Sequence, residues 1–212
     1  MNAKRQRLTA TVRFAVVVTS AMIACYGSAA ELPDVTSYVQ QVVGDDRNTC
    51  YWDSVSTILV DPATWSDNQA PHAGANYVKG PKLTMNIGRP GGSSGEYRFP
   101  GDRLVIQGDG TQWFKLMIDV AHFICDDLML FPGSWMVKDE NSYSGSVQGK
   151  LTAYSVDEDD YVYIRAACWG GKLDIRSDLY GDGNIALVGR SGNVNGRGIF
   201  VITNANPNFV GT

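Results

Sequence analysis

The sequence predicts an all-β chain, and more narrowly a right-handed parallel β-helix (a β-solenoid) with an irregular N-terminal cap. Three observations predict it. Short apolar runs recur between Leu104 and Ile202 behind Gly and Asp turn residues. Several share one interval: Ile106, Ile118 and Leu130 each close a three-residue run, twelve residues apart, and Leu173 and Ile185 open two more at the same interval. The chain is also rich in glycine, with 23 residues, as a turn-rich β chain requires. Regularly spaced strands with turn chemistry between them argue for all-β structure, and a fixed period argues for coils stacked along an axis. The alternative fold is a β-sandwich, which would show no constant axial repeat.

Residues 1–30 read as an export signal. Lys4, Arg5, Arg7 and Arg13 form a basic start, Phe14 to Cys25 is a mostly apolar stretch, and Ser28-Ala29-Ala30 supplies small residues for cleavage near Ala30. The stretch is short for a membrane span. Met22-Ile23-Ala24-Cys25 loosely matches a lipoprotein cleavage box, with Met22 where Leu is usual, so lipidation at Cys25 stays open. The expected location is secreted or at the cell surface or outer membrane. Membrane contact is expected only through export or a downstream anchor.

Without the first thirty residues, 14 basic residues face 22 acidic ones, a net charge of −8. Such a chain has no electrostatic reason to bind nucleic acid or anionic lipid. Cys50, Cys125 and Cys168 remain, an odd number, and their pairing stays open. Cys125 sits within Phe123-Ile124-Cys125 and reads as a buried small hydrophobe. No two cysteines have metal-ligand spacing, and no cofactor is expected.

Residues 31–100 are expected to hold the N-terminal cap and irregular first coils. In residues 31–50, Pro33 and Asp34 could start a helix, with Tyr38, Val39, Val42 and Val43 on one face. A helix over Ser37–Val43 is slightly favoured over a capping strand. Pro62, Pro71, Pro81, Pro90 and Pro100 punctuate residues 51–100, with strands expected at Thr57–Val60, Asn76–Val78, Lys82–Ile87 and Tyr97–Phe99. Arg89 to Gly95 is a loop by composition. From 101 to 212 the β-solenoid coils are expected at Arg103–Gln107, Phe114–Ile118, Phe123–Leu130, Ser134–Val137, Ser146–Val156, Asp160–Ala166, Lys172–Ile175, Asn184–Val188 and Gly198–Thr203. Asp-Gly and Asn-Gly steps at Gly108-Asp109-Gly110, Gly181-Asp182-Gly183 and Asn193–Gly196 supply turns. Asp157-Glu158-Asp159-Asp160 reads as a solvated turn.

Two stretches carry a family resemblance. Ala63-Thr64-Trp65-Ser66 through Pro71, Gly74 and Val78 is similar to the Trp-Ser and Pro–Gly opening of bacterial autotransporter-type surface proteins. Gly198-Ile199-Phe200-Val201-Ile202-Thr203-Asn204-Ala205-Asn206-Pro207-Asn208-Phe209-Val210-Gly211-Thr212 resembles one copy of the autotransporter-associated β-strand repeat. Asn204 stands where that repeat has its first Gly, Phe209 where it has Tyr, and Val210 where it has Thr. The resemblance implies an N-terminal portion of an exported solenoid whose coils continue beyond Thr212. Whether the chain is truncated at Thr212 stays open.

Chemistry is sparse. Gly91-Gly92-Ser93-Ser94-Gly95 satisfies G-x-S-x-G, but a nucleophile elbow needs a strand before it and a helix after it. His72 sits in the Pro–Gly loop, and His122 precedes an apolar run and reads as a strand residue. Asp178, Asp182 and Asn184 alternate with glycine as calcium ligands could, yet a tight turn accounts for them. Asp126, Asp127, Lys138 and Arg165 are the residues a β-helix enzyme would use, on fold analogy alone. Trp52, Trp65, Trp113, Trp135 and Trp169 raise carbohydrate binding. Trp65 and Trp113 are expected in exposed loops and are the candidate ligand-binding residues, with surface glycans or other cell-surface components as partners. The expected function is a non-catalytic, exported, structural or adhesive passenger-like segment. The alternative is a secreted carbohydrate-binding β-sandwich module.

Overall fold

The structure, a computed structural model, describes residues 31–44, 59–87, 95–116, 120–138, 144–166, 172–189, 199–204 and 206–212. The expected signal segment 1–30, Cys25, Cys50, Cys168, Trp52, Trp169, Ile118, Gly91–Ser94 and the Asn193–Gly196 turn lie outside the described residues.

The chain is all-β, a β-solenoid of about four turns. A short strand, β1 (Val39–Gln40), precedes β2 (Asn76–Lys79), β3 (Met85–Ile87), β4 (Gly95–Arg98), β5 (Arg103–Ile106), β6 (Trp113–Leu116) and β7 (Val120–Leu130). There follow β8 (Trp135–Lys138), β9 (Gly145–Ala153), β10 (Tyr161–Ala166), β11 (Lys172–Ile175), β12 (Asp178–Gly181), β13 (Asn184–Gly189) and β14 (Ile199–Ile202). Each turn visits three sides. Side one stacks β2, β5, the second half of β7, the second half of β9, and β12. Side two stacks β3, β6, β8, β10 and β13. Side three stacks β4, the first half of β7, the first half of β9, β11 and β14. All these pairings are parallel, which excludes the antiparallel sandwich.

Tyr77, Leu104, Leu128, Leu151 and Leu179 are register partners in successive turns, so one turn takes 23 to 28 residues on this side. The twelve-residue interval of the sequence is therefore not a coil. Ile106 and Leu130 do stack, one full turn apart. Leu173 and Ile185 fall on different sides, in β11 and β13. Alternation sets the core: the leucine column of side one points inward with Met85, Phe114, Met136 and Ile164 of side two and Tyr97, Phe123, Val147 and Ile175 of side three. Strands of this kind have period two, so each buries alternate residues and aims the others outward.

Residues 31–44 correct one expectation. They contain no helix; Val39–Gln40 pairs in parallel with β2 instead, and Gln41 N–H donates to the Val78 carbonyl. The open backbone edge of β2 offers more hydrogen bonds than one helical turn could make alone, so tertiary pairing overrides the local helix signal. Leu32, Val35 and Tyr38 then cover an outward apolar cluster of Val78, Val105, Met129 and Phe131. Leu59 and Val60 lie in a turn, not the end of a strand. A 3-10 turn at Pro62–Thr64, capped by the Asp61 carboxylate accepting from Ala63 N–H, delivers Trp65 onto the first coil. The strand β12 is absent from the sequence expectation because Asp178-Leu179-Tyr180-Gly181 offers a single strongly apolar residue.

The two ends of the solenoid differ. At the N-terminal end Trp65 is fully buried and packs edge-on against Tyr77 at 4.8 Å, and Tyr77 packs on Phe99 at 5.5 Å. At the other end Ile164, Ile175, Leu179, Ile185, Leu187, Ile202 and Phe209 line an apolar cavity of about 290 Å3 that opens to solvent. Phe209–Thr212 runs onto the edge of the last coil: Val210 N–H donates to the Gly181 carbonyl, and Ile185 N–H to the Thr212 carbonyl.

Candidate functional site

The two tryptophans expected in exposed loops are placed otherwise. Trp65 is a core residue whose indole N–H donates to the Leu59 carbonyl at 3.2 Å. The Trp-Ser opening is a capping device: Gln40 N–H donates to Ser66 Oγ, Ser66 N–H donates to the Gln40 carbonyl, and Trp65 fills the end of the core. Trp113 is the first residue of β6 and half-buried.

Trp113 faces outward, opposite to Phe114, and its register partner in the next turn is Trp135. Trp135 in turn pairs with Tyr163, and the two rings stack at 4.5 Å with 10° between their planes. Tyr161 lies beside Tyr163, 6.3 Å between centroids. Side two thus carries an outward aromatic ladder. Arg165 lies over the Trp113 ring at 5.5 Å, and Lys115 approaches the same ring at 5.8 Å. Pairs of this kind are worth roughly 0.5–1.5 kcal/mol each beyond area. The sequence could not show that Trp113 and Trp135 are one turn apart, because the coil length was not legible.

Side one carries a charge ladder. Asn76, Arg103, Asp127, Lys150 and Asp178 occupy successive register positions. Arg103 donates from Nε to Asp127 at 2.6 Å and from Nη1 to the Tyr38 hydroxyl at 2.8 Å. Lys150 Nζ lies 3.5 Å from the other Asp127 oxygen. Asp126 is engaged by Arg98 at 2.6 Å. The two aspartates a β-helix enzyme would need are therefore held by cations of neighbouring coils, while Lys138 and Arg165 stand on side two. The structure does not bring this quartet together.

Side three holds a serine–histidine contact. His122 and Ser146 are register partners, with 2.8 Å between the histidine Nδ1 and the serine Oγ. Gln148 Nε2 donates to the same Oγ at 3.2 Å, and Asp174 sits in register beyond Ser146, bonded to Arg176 at 2.9 Å. Ser146 is buried, so a substrate carbonyl has no approach to its Oγ. The arrangement is a polar ladder between coils. Gly95 opens β4, so the segment that follows the G-x-S-x-G match is a strand and not the helix a nucleophile elbow needs.

Of the three calcium candidates Asp178, Asp182 and Asn184, Asp178 and Asn184 are used in coil-to-coil bonding. Asn204 Nδ2 donates to Asp178 and to the Arg176 carbonyl, and Asn184 bonds the Glu158 carbonyl and Thr212. Among the described residues no group of three His, Cys, Asp or Glu could hold a metal, and no helix is long and apolar enough to cross a membrane. Cys125 faces the core, and burial pushes its thiol up to about 12, so it is not a thiolate nucleophile at neutral pH.

One buried ionisable residue had no sequence signal. Lys79 closes β2 pointing inward, in register with Ile106, and its ammonium donates to the carbonyls of Gly80 and Gln107. Burial pushes its pKa down to about 8 from 10.5, with Asp109 opposing the shift. The folded state therefore holds this proton less tightly than the unfolded chain. The cost is full below pH 8 and fades as pH rises from 8 to 10.5, so stability attributable to Lys79 rises with pH across that window. Lys79→Met is expected to be more stable at pH 7 by roughly 1–3 kcal/mol, the two carbonyls losing their donor as a partial offset. Urea midpoints of both proteins from about pH 7 to about pH 10.5 check this: the gap should close as pH rises, and a gap that stays constant rejects the assignment.

Comparison with family models, curated proteins and solved structures finds no match to this chain.

Proposed function

We propose that this chain is a non-catalytic structural and adhesive segment of an exported, autotransporter-like bacterial surface solenoid. The observation that carries the reading is the open C-terminal end. A closed N-terminal cap, a regular stack and an apolar open end make a unit onto which a further β-coil stacks. Leu187 and Ile202, which line the open cavity, are 45% and 47% exposed. Core residues and strand edges left in water are a liability that solenoids ordinarily cover with another coil or a cap. Phe209 already forms a parallel bridge with Gly181, the last residue of β12, which supports a coil arriving in the same sense.

The reactive-looking side chains support a scaffold role. Asp126, Asp127, Asp174, His122 and Ser146 are engaged by neighbouring side chains, mostly one turn away, which is how a stack locks its register. The outward aromatic ladder of side two supports adhesion, since its edge is presented on a rigid face.

An antibody raised to residues 31–212 tests the reading on cell-envelope fractions. A native species well above the 23.1 kDa of this chain, retained at the surface, is expected. A species no larger than this chain, released into the medium, rejects the passenger-like segment.

A further inference from the structure

Met85, Phe114, Met136, Ile164 and Leu187 are register partners in one inward column of side two. The first four are fully buried, but Leu187 is 45% exposed. The path of the last turn explains the difference. It covers side three with β14, which lies on β11. It then crosses side one, where the Leu179 N–H donates to Asn206 Oδ1 and Phe209 bridges Gly181. Phe209–Thr212 rounds the next corner, and Thr212 stands over Asn184, 28 residues back, with its hydroxyl donating to Asn184 Oδ1. Side two is the side left uncovered. One edge of β13 pairs with β10; at the other the Ile185 N–H donates to the Thr212 carbonyl, and among the described residues no strand pairs with the rest.

We propose that the open edge of β13 is the seat of one further strand of the same polypeptide, parallel to β13, whose first and third residues after Thr212 are apolar and point inward over Ile185 and Leu187. The inference rests on the further coil of the proposed function and names its register and its inward positions. The bond from Ile185 N–H to the Thr212 carbonyl sets that register, because in a parallel ladder the residue after the accepting carbonyl stands beside the donor residue. Backbone polar groups alternate in direction along a strand, so Leu187 and Gly189 present theirs at the same open edge as Ile185. Side chains alternate as well, and a one-residue slip would turn the apolar set out into water.

The edge is built to be paired. Asn184-Ile185-Ala186-Leu187-Val188-Gly189 holds no charged residue and no proline, the devices that keep an exposed strand from pairing. Ile185 and Leu187 line the apolar cavity of about 290 Å3, together with Ile164 below them and Ile202 on side three. The two inward side chains of the arriving strand fill that space and complete the column above Leu187. A second copy of this chain fits the edge less well. The other end of the stack is closed by Trp65, so two copies could meet only with their open ends facing. A two-fold axis would then set one β13 antiparallel to the other, whereas the bridge at Phe209 is parallel.

The test extends the purified protein after Thr212 by Ile-Thr-Leu-Thr-Val-Gly, and in a second protein by the same six residues out of phase, Thr-Ile-Thr-Leu-Gly-Val. Hydrogen exchange is expected to show the Leu187 and Gly189 amides at least about ten-fold better protected with the in-phase tail, and the urea midpoint should rise. The out-of-phase tail should leave both readouts unchanged. Leu187→Asn should barely move the unextended protein and should remove the gain from the in-phase tail. Equal effects of the two tails, or no effect of either, overturn the seat. So does an unextended protein that sediments as a dimer with those two amides already protected, which puts a second copy on the edge. Peptide mapping of the long native surface species should find apolar residues first and third after Thr212, and polar residues at both overturn the register. A long surface species whose edge ignores both tails overturns the seat and leaves the passenger-like reading standing. A native species no longer than this chain overturns both.

Discussion

Gly149→Ala is expected to destabilise the protein by about 2–5 kcal/mol, and at the upper end to prevent folding. Gly149 has φ +101°, and a Cβ there would stand 1.9 Å from the Cys125 carbonyl oxygen of the preceding coil. It lies where β9 turns from side three to side one, opposite the register shift between Cys125 and Asp127 in β7. The left-handed backbone costs an alanine roughly 1–2 kcal/mol, and displacing a backbone carbonyl that belongs to the ladder adds an overpacking cost of about 1–3 kcal/mol. Gly110 is the internal control. It has φ +81° with nothing within 4 Å of its Cβ position, so Gly110→Ala carries the conformational cost alone. Urea unfolding of the two variants should give a much lower midpoint for the first. Equal midpoints would mean that the corner relaxes freely, and the contact would not be what excludes a side chain.

Trp65→Ala should cost about 3–5 kcal/mol, as for other large aromatic truncations in a core. The indole is fully buried, bonds the Leu59 carbonyl and meets Tyr77 edge-on. Contacts in a solenoid run mainly between adjacent coils, so the loss should be local at first. Native-state hydrogen exchange should show lost protection in β2 and β5, with β8 and β10 less affected. This matters for any sugar-binding assay. Weakened binding in Trp65→Ala would report a collapsed cap unless the stability is unchanged, and unchanged stability with lost binding would return Trp65 to the role of a ligand contact.

Much of the strand inventory was legible. Lys172–Ile175 agrees in both bounds, and Asn76–Val78, Arg103–Gln107, Ser134–Val137 and Asn184–Val188 each differ by one residue at one end or both. Period-two alternation and β-branched residues are local properties, so a window of six residues carries them. The segment Ser37–Val43 reads as a helix for the opposite reason. Its strand exists only because the edge of β2 lies beside it, and that edge is some forty residues away in sequence.

The candidate site was barely legible. A lone tryptophan in sequence does not say which way it points. Trp113 and Trp65 carry similar local signals, yet one begins an outward strand and the other seals the core. The side is set by strand parity, and parity is fixed only when the register between coils is known. Register here depends on turns of unequal length, on glycine corners such as Gly149 and on the shift beside Asp126, none of which has a period.

By itself, then, the sequence determined that this protein is all-β, because alternation and glycine turns are written within a few residues of one another, whereas the twelve-residue interval from which coiling was expected is not the length of a turn. Only the tertiary structure decided that Arg165 lies on Trp113, that Asp126 and Asp127 are held by arginines, that Lys79 is buried, and that one end of the stack is closed and the other open. Most of those facts join residues a full turn or more apart, and the backbone pairing that joins them is read from geometry, not from side-chain identity.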